Sequence, residues 1–395
     1  MNVAESRGVL YLLIFISFTF WMTLLISPIF PLYVVEDLGA TWFILGLINS
    51  IASISSIILR VPLGIVADRI GRWRMLTIAL FITGVSFLLY FIAPTPSWLY
   101  LIGVLRSVAM ASFLPTANAV ASNLARSSSE RGKIMGFYMT SISVALVLGP
   151  LLTSFLLEFL VYRQIFVVTA IIGFVGLVAA LLGGPYVRRG GYDQVKREGG
   201  GITGSLSRVV KSRNMIALYL SMSVFYFTAL GAFYTLFSVY AKGSSLFFSA
   251  GFISLLFALR GLTDTFTRIP AGYLSDRFGR KRPLMFGLLL MVVALFCLST
   301  PSLPLIILGF IIYGVGFGFR IVTMSALAGD SVPTEDVGLA MASMFASTDA
   351  GSALGSFFAG TVSMFMPTPA IFQICAILLL IATPILLIVR EGESR

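Results

Sequence analysis

RVPLGIVADRIGRWR at residues 60–74 and RIPAGYLSDRFGRKR at residues 268–282 are one stretch of sequence written twice. Aligned without a gap at an offset of 208, the copies share Arg60/Arg268, Pro62/Pro270, Gly64/Gly272, Asp68/Asp276, Arg69/Arg277, Gly71/Gly279, Arg72/Arg280 and Arg74/Arg282. Each copy follows an apolar run long enough to cross a bilayer. A duplicated basic loop placed in this way marks a membrane protein built from two repeats.

Composition leaves little room for a soluble chain. Hydrophobic residues make up 58% of the 395 and charged residues 11%, against about 25% charged in a soluble domain. A net charge of +11 would suit a nucleic-acid binder, but the basic residues fall in short gaps between apolar runs, as topogenic charges do. No nucleic-acid partner is expected. There is no histidine, which excludes a Ser-His-Asp triad, a Cys-His nucleophile and any His-ligated metal. The two cysteines, Cys297 and Cys375, sit in separate apolar runs and read as small fillers. No phosphate-cradling G-x-x-x-x-G-K-[ST] sequence occurs. Neither an enzyme nor a cofactor or metal protein is expected.

Apolar runs fall at 9–33, 42–66, 75–93, 98–123, 134–160 and 164–184, and again at 215–240, 249–274, 283–300, 304–329, 338–365 and 369–390. The first is long enough to be a span, so no cleavable leader is expected. Twelve spans put both termini on one side. Twenty Lys/Arg lie in the gaps and tails on that side, against only Arg163 and Lys242 on the other, so both termini and the central loop are expected in the cytoplasm. The fold class is therefore all-α and integral to the membrane, with 1–187 and 214–395 as two pseudo-symmetric six-helix bundles. Residues 188–213, with Gly190, Gly191 and Gly199–Gly201 among Arg and Lys, read as a flexible linker that suits an anionic inner leaflet.

A second match reinforces the division. Gly132/Gly338, Met135/Met341 and Gly149/Gly355 recur at an offset of 206. Six plus six spans, a basic central loop and G-x-x-x-D-R-x-G-R loops after spans two and eight resemble the major facilitator superfamily along essentially the whole chain. The resemblance implies a multi-pass transporter of the plasma membrane, working as a monomer by alternating access on a small-molecule substrate.

The residue types have their own logic. Gly64 and Gly272 are expected to let another helix approach closely. Asp68 and Asp276 are carboxylates at the membrane edge, suited to the amides of a helix start. Arg69, Arg72, Arg277 and Arg280 can pair with acids and lipid phosphates, and Gly71 and Gly279 complete the loop. The resemblance implies that this loop latches one side of the transporter, Asp68 onto the start of span eleven near Gly338 and Asp276 onto span five. Arg106 in span four resembles the arginine of an R-x-x-x-G motif linked to proton coupling, although Met110 stands where that motif has Gly. Gly149–Pro150 in span five matches the G-P core of a motif associated with antiporters, with Thr153–Ser154 where Gly-Gly usually follows. Pro150 is expected to bend its helix.

Other charges fall inside spans, where ionisable groups default to functional sites: Arg260 and Asp264 in span eight, Arg320 in span ten and Asp349 in span eleven. Arg260 and Asp264 are i,i+4 neighbours and are expected to neutralise each other. Asp349 has no such neighbour on its own helix and is the better candidate to carry a proton; a buried structural ion-pair network is the alternative. Phe18 and Trp21 in span one, and Tyr226, Phe233 and Phe237 in span seven, are expected to wall a cavity, although lipid-facing phenylalanines would give the same pattern. The leading expectation is a proton-coupled exporter. The alternatives are an uptake carrier or symporter for an organic anion, suggested by three intramembrane arginines against two aspartates, and a substrate-sensing receptor.

Overall fold

The computed structural model describes residues 3–124, 128–189, 208–243, 247–333 and 336–389. Much of the expected linker, 190–207, and the topogenic Arg126, Arg390 and Arg395 lie outside the described residues. Among the described residues every regular element is helical. The helices are α1 (Val3–Met22), α2 (Trp42–Ile70), α3 (Arg72–Ile92), α4 (Pro96–Asn123), α5 (Ser128–Leu156) and α6 (Tyr162–Arg189). After the linker come α7 (Arg213–Tyr226), α8 (Ala250–Phe278), α9 (Lys281–Leu298), α10 (Leu303–Asp330), α11 (Val337–Val362) and α12 (Thr368–Ala382). A 3-10 turn, Thr23–Ile26, extends α1, and α7 runs on through a π-turn, Phe227–Phe233, into Tyr234–Gly243.

Among the described residues, ten segments are long and apolar enough to span a bilayer. The long helices outside that set are α8, which carries Arg260, Asp264 and Arg268 in its middle, and α11, diluted by small and hydroxyl residues. Both have the length of a span; polar content sets them apart. On α6 the exposed residues Ile171, Val175, Val178 and Leu182 recur at helical spacing on one face. An outward apolar stripe of this kind suits hydrocarbon, not water.

The chain divides into two compact units, Met1–Gly39 with Ile54–Arg197, and Ala40–Ser53 with Glu198–Arg395. In unit 1, Phe20 of α1 stacks on Phe113 of α4 at 3.8 Å. In unit 2, glycines let backbones meet: a side-chain carbon at Gly351 or Gly355 of α11 would overlap the main chain of Ser223 or Phe227 in the α7 segment. Gly46, in the first turns of α2, is pressed against Ser356 and Gly360 of α11 in the same way, and Ser50 donates to the Ala353 carbonyl at 2.8 Å.

The duplicated loop keeps its shape. Gly71 and Gly279 have φ of 101° and 85°, where only glycine is at ease. Two positions on, Trp73 and Lys281 are equivalent in the repeat. The Trp73 indole donates to the Ala180 carbonyl of α6 at 2.8 Å, and the Lys281 ammonium donates to the Leu387 carbonyl, just beyond α12, at 2.9 Å. Each copy thus ties its third helix to the sixth. Gly64 and Gly272 depart from expectation. A Cβ at Gly64 would meet nothing within 4 Å, and one at Gly272 would make ordinary contact, 3.7 Å, with Val322. Close approach is instead the work of Gly46, Gly351 and Gly355.

Candidate functional site

The loop aspartates pair locally. Asp68 faces Arg72 at 3.6 Å, and Asp276 forms an ion pair with Arg280 four residues on. Arg280 also reaches Asp330 at the end of α10, 3.2 Å away, and donates to Ser275. Partial burial opposes its charge, but the hydrogen bonds it donates to Asp276 and Asp330, with their negative charge, outweigh burial and raise its pKa. Asp68 and Asp276 remain 52% and 71% exposed, so these pairs are worth about 0–1 kcal/mol each. Arg69 and Arg277 end α2 and α8 beside them.

In unit 1, Gly149 and Pro150 lie within α5, where the 3-10 turn after α1 crosses. A Cβ at Gly149 would come 3.3 Å from the Leu25 backbone. Thr153, which departs from the motif this segment resembles, donates to the Leu25 carbonyl at 2.6 Å. The tighter 3-10 turn frees a carbonyl, and Thr153 satisfies it. Arg106 on α4 lies over the Phe87 ring of α3 at 5.1 Å. Phe18 and Trp21 are partly buried, and the Trp21 indole nitrogen has no acceptor.

The charges of α8 pair differently from expectation. Asp264, 1% exposed, accepts from Arg268 rather than Arg260, through Nε at 3.1 Å and Nη2 at 3.0 Å. Both arginines are four residues away, but an acid placed N-terminal to its base is the better helical arrangement, and the fork permits a two-point bond. The sequence carried a signal for Arg268: it opens the second copy of the repeat. In the first copy the equivalent Arg60 meets Ser56 at 3.4 Å, the position corresponding to Asp264.

Arg260 instead lies among rings, 5.5 Å from the Tyr234 centroid, 5.8 Å from Tyr313 and 5.0 Å from Phe317. Arg320 lies 4.5 Å from Phe317, 4.7 Å from Phe225 and 5.0 Å from Tyr226. Phe233 and Phe237 sit in the interior of unit 2, packed on Tyr313 at 4.6 Å and Phe310 at 4.8 Å respectively. A π-turn, Phe227–Phe233, ends at Phe233 and separates Tyr226 from Phe237. Asp349 lies in mid-α11, partly buried. Among the described residues no cluster of His, Cys, Asp or Glu could hold a metal.

Among the described residues, ten candidate spans and two further helices of span length fall in two units, with the same glycine turn in each copy of the loop. The Major Facilitator Superfamily model matches residues 10–251 and 231–395, and the chain belongs to that family. It is 22% identical over 89% of its length to an uncharacterised MFS-type transporter of Methanocaldococcus jannaschii, covering 90% of that protein. To the multi-drug resistance efflux pump PmrA of Streptococcus pneumoniae it is 27% identical over 78% of its length and 77% of the pump's. Among solved structures, a point mutant of the nucleoside transporter NupG superposes with a TM-score of 0.82 at 16% identity, over 98% of this chain and all of the other.

Proposed function

We propose that this chain exports small organic molecules across the plasma membrane by alternating access, driven by protons, with both termini in the cytoplasm. The observation that carries the reading is the loop at Asp68 and Asp276, folded alike in both units and closed by ion pairs weak enough to exchange partners. A latch must break in every cycle, and pairs worth about 1 kcal/mol or less allow it. Export is favoured by the similarity to PmrA, whose name describes an efflux pump, and by Gly149–Pro150 at the crossing of α1 and α5. Asp349 is the proton carrier, because Asp264 is committed to Arg268. Arg106 sets the field in unit 1. The protein acts as a monomer, with lipid and substrate as its partners.

The test is transport in liposomes under an imposed pH gradient. Wild-type protein should move substrate against its concentration gradient, whereas Asp349→Asn should only exchange substrate for substrate. Coupled transport by Asp349→Asn would refute the assignment. An uptake carrier for an organic anion is the second reading, favoured by the two buried arginines of unit 2, and the direction of pumping in the same liposomes decides between them.

A further inference from the structure

We propose that unit 2 holds a binding site for an organic anion, formed by the guanidiniums of Arg260 and Arg320, both of which lie against the Phe317 ring. The inference deepens the transport reading by naming a substrate class: an oxyanion, carboxylate or phosphate, attached to a flat apolar group. Both arginines are deeply buried, at 5% and 1% exposure. Nε and Nη1 of Arg260, and Nε and Nη2 of Arg320, have no acceptor. The remaining contacts of Arg320 are thioethers, Met324 at 3.6 Å and Met222 at 4.0 Å from Nη1. The carboxylate one turn from Arg260, Asp264, is held at both oxygens by Arg268.

Magnitudes show that the arrangement is incomplete by itself. Taking a guanidinium out of water costs several kcal/mol even after relaxation. A cation over a ring returns roughly 0.5–2 kcal/mol. Two such cations sharing one ring also repel each other. An anion between them would fill the vacant donors with charge-assisted bonds, of which a planar fork can make two to one carboxylate or phosphate. The Tyr313 hydroxyl, buried and likewise without a partner, is a further donor beside Arg260. The rings of Tyr226, Tyr234 and Phe317 offer flat surfaces to the apolar part of the ligand.

The fold does not require these charges. At the repeat offset of 208, Arg260 corresponds to Ala52 and Arg320 to Ser112. The first copy of the repeat has neither cation at these positions, so the pair belongs to the second copy alone.

The experiment is calorimetric titration of the purified full chain in detergent with benzoate, phenyl phosphate, benzyl alcohol, tetraphenylphosphonium and phosphatidylglycerol. Benzoate or phenyl phosphate should bind, and the neutral and cationic probes should not. Arg260→Met and Arg320→Met should each weaken anion binding by about tenfold or more, the equivalent of one lost charged hydrogen bond. Lysine at either position should restore part of the affinity, and Arg213→Gln, on an exposed surface, should change nothing. If a methionine variant unfolds, the lysine variant carries the test, because it keeps the charge but not the fork. Unchanged anion affinity in a folded methionine variant, or in both Arg260→Lys and Arg320→Lys where the methionine variants unfold, would overturn the proposal. So would equal binding of benzyl alcohol, or binding of phosphatidylglycerol alone, which would make the ligand a lipid headgroup. Binding is read without transport, so intact anion binding with no transport in liposomes would strike the transporter reading and leave the site standing.

Discussion

Asp264→Asn should destabilise the protein without being the step that uncouples it from protons. Asp264 is 1% exposed and bonded at both oxygens to Arg268, which keeps 18% of its side-chain surface exposed. Breaking a buried pair by removing one charge costs about 3–5 kcal/mol. The partial exposure of Arg268 and the amide oxygen left by asparagine, which still accepts one bond, bring the expected cost down to about 2 kcal/mol. Removing the second charge as well should recover most of that loss, since an isolated guanidinium no longer has to be buried. The Asp264→Asn/Arg268→Gln double variant should therefore be more stable than Asp264→Asn alone, a non-additivity that an unpaired arrangement would not produce.

The assay is thermal unfolding of the four proteins of this cycle in one detergent, with proton-driven transport measured on the same preparations. The midpoint for Asp264→Asn should fall by several degrees and that for the double variant by less. Transport per folded molecule should persist in both. An unchanged midpoint with proton-driven transport abolished would refute the reasoning, because the carboxylate would then be a carrier and not half of a structural pair.

Asp68→Asn should reduce transport sharply while leaving the unfolding midpoint within the small range expected for loss of an exposed ion pair, below about 1 kcal/mol. Wild-type transport rates in liposomes would exclude the latch. Gly355→Ala should cost about 1–3 kcal/mol by overpacking, because the new methyl would overlap the Phe227 backbone. Gly64→Ala, with open space at its Cβ, should be neutral or gain up to about 1 kcal/mol in helix propensity; equal midpoints for these two variants would contradict the packing described for α11.

What the sequence revealed of the fold came from two strong signals, the doubled loop and the length of the apolar runs. Bilayer thickness and backbone hydrogen bonding leave few alternatives for such a chain. The positive φ of Gly71 and Gly279 explains why glycine recurs at that point of the loop. Gly64 misled, because a recurring helical glycine carries no record of which neighbour it meets; the same small-residue rule held for Gly351 and Gly355, where α7 supplies the opposing backbone. The π-turn at Phe227–Phe233 was not legible either. It interrupts the α-helical period between Tyr226 and Phe237, and no residue type announces it.

The partner of Asp264 was legible in principle. Charge spacing alone left Arg260 and Arg268 equivalent, both four residues away, and the choice between them follows from the direction of the helix. Once Arg268 takes Asp264, Arg260 loses its only neighbour of opposite sign on α8 and turns to the rings it shares with Arg320. The two copies of the repeat then differ in an informative way. Where they agree, at Gly71 and Gly279, the residues hold the loop in place, and at the unlike pair Trp73 and Lys281 each copy still ties its third helix to its sixth. Where they differ, with Ala52 against Arg260 and Ser112 against Arg320, the second copy carries buried cations with guanidinium nitrogens that have no acceptor. Asp264 also breaks the duplication but is held by Arg268, so the two cations left on the rings around Phe317 are what the proposed anion site rests on.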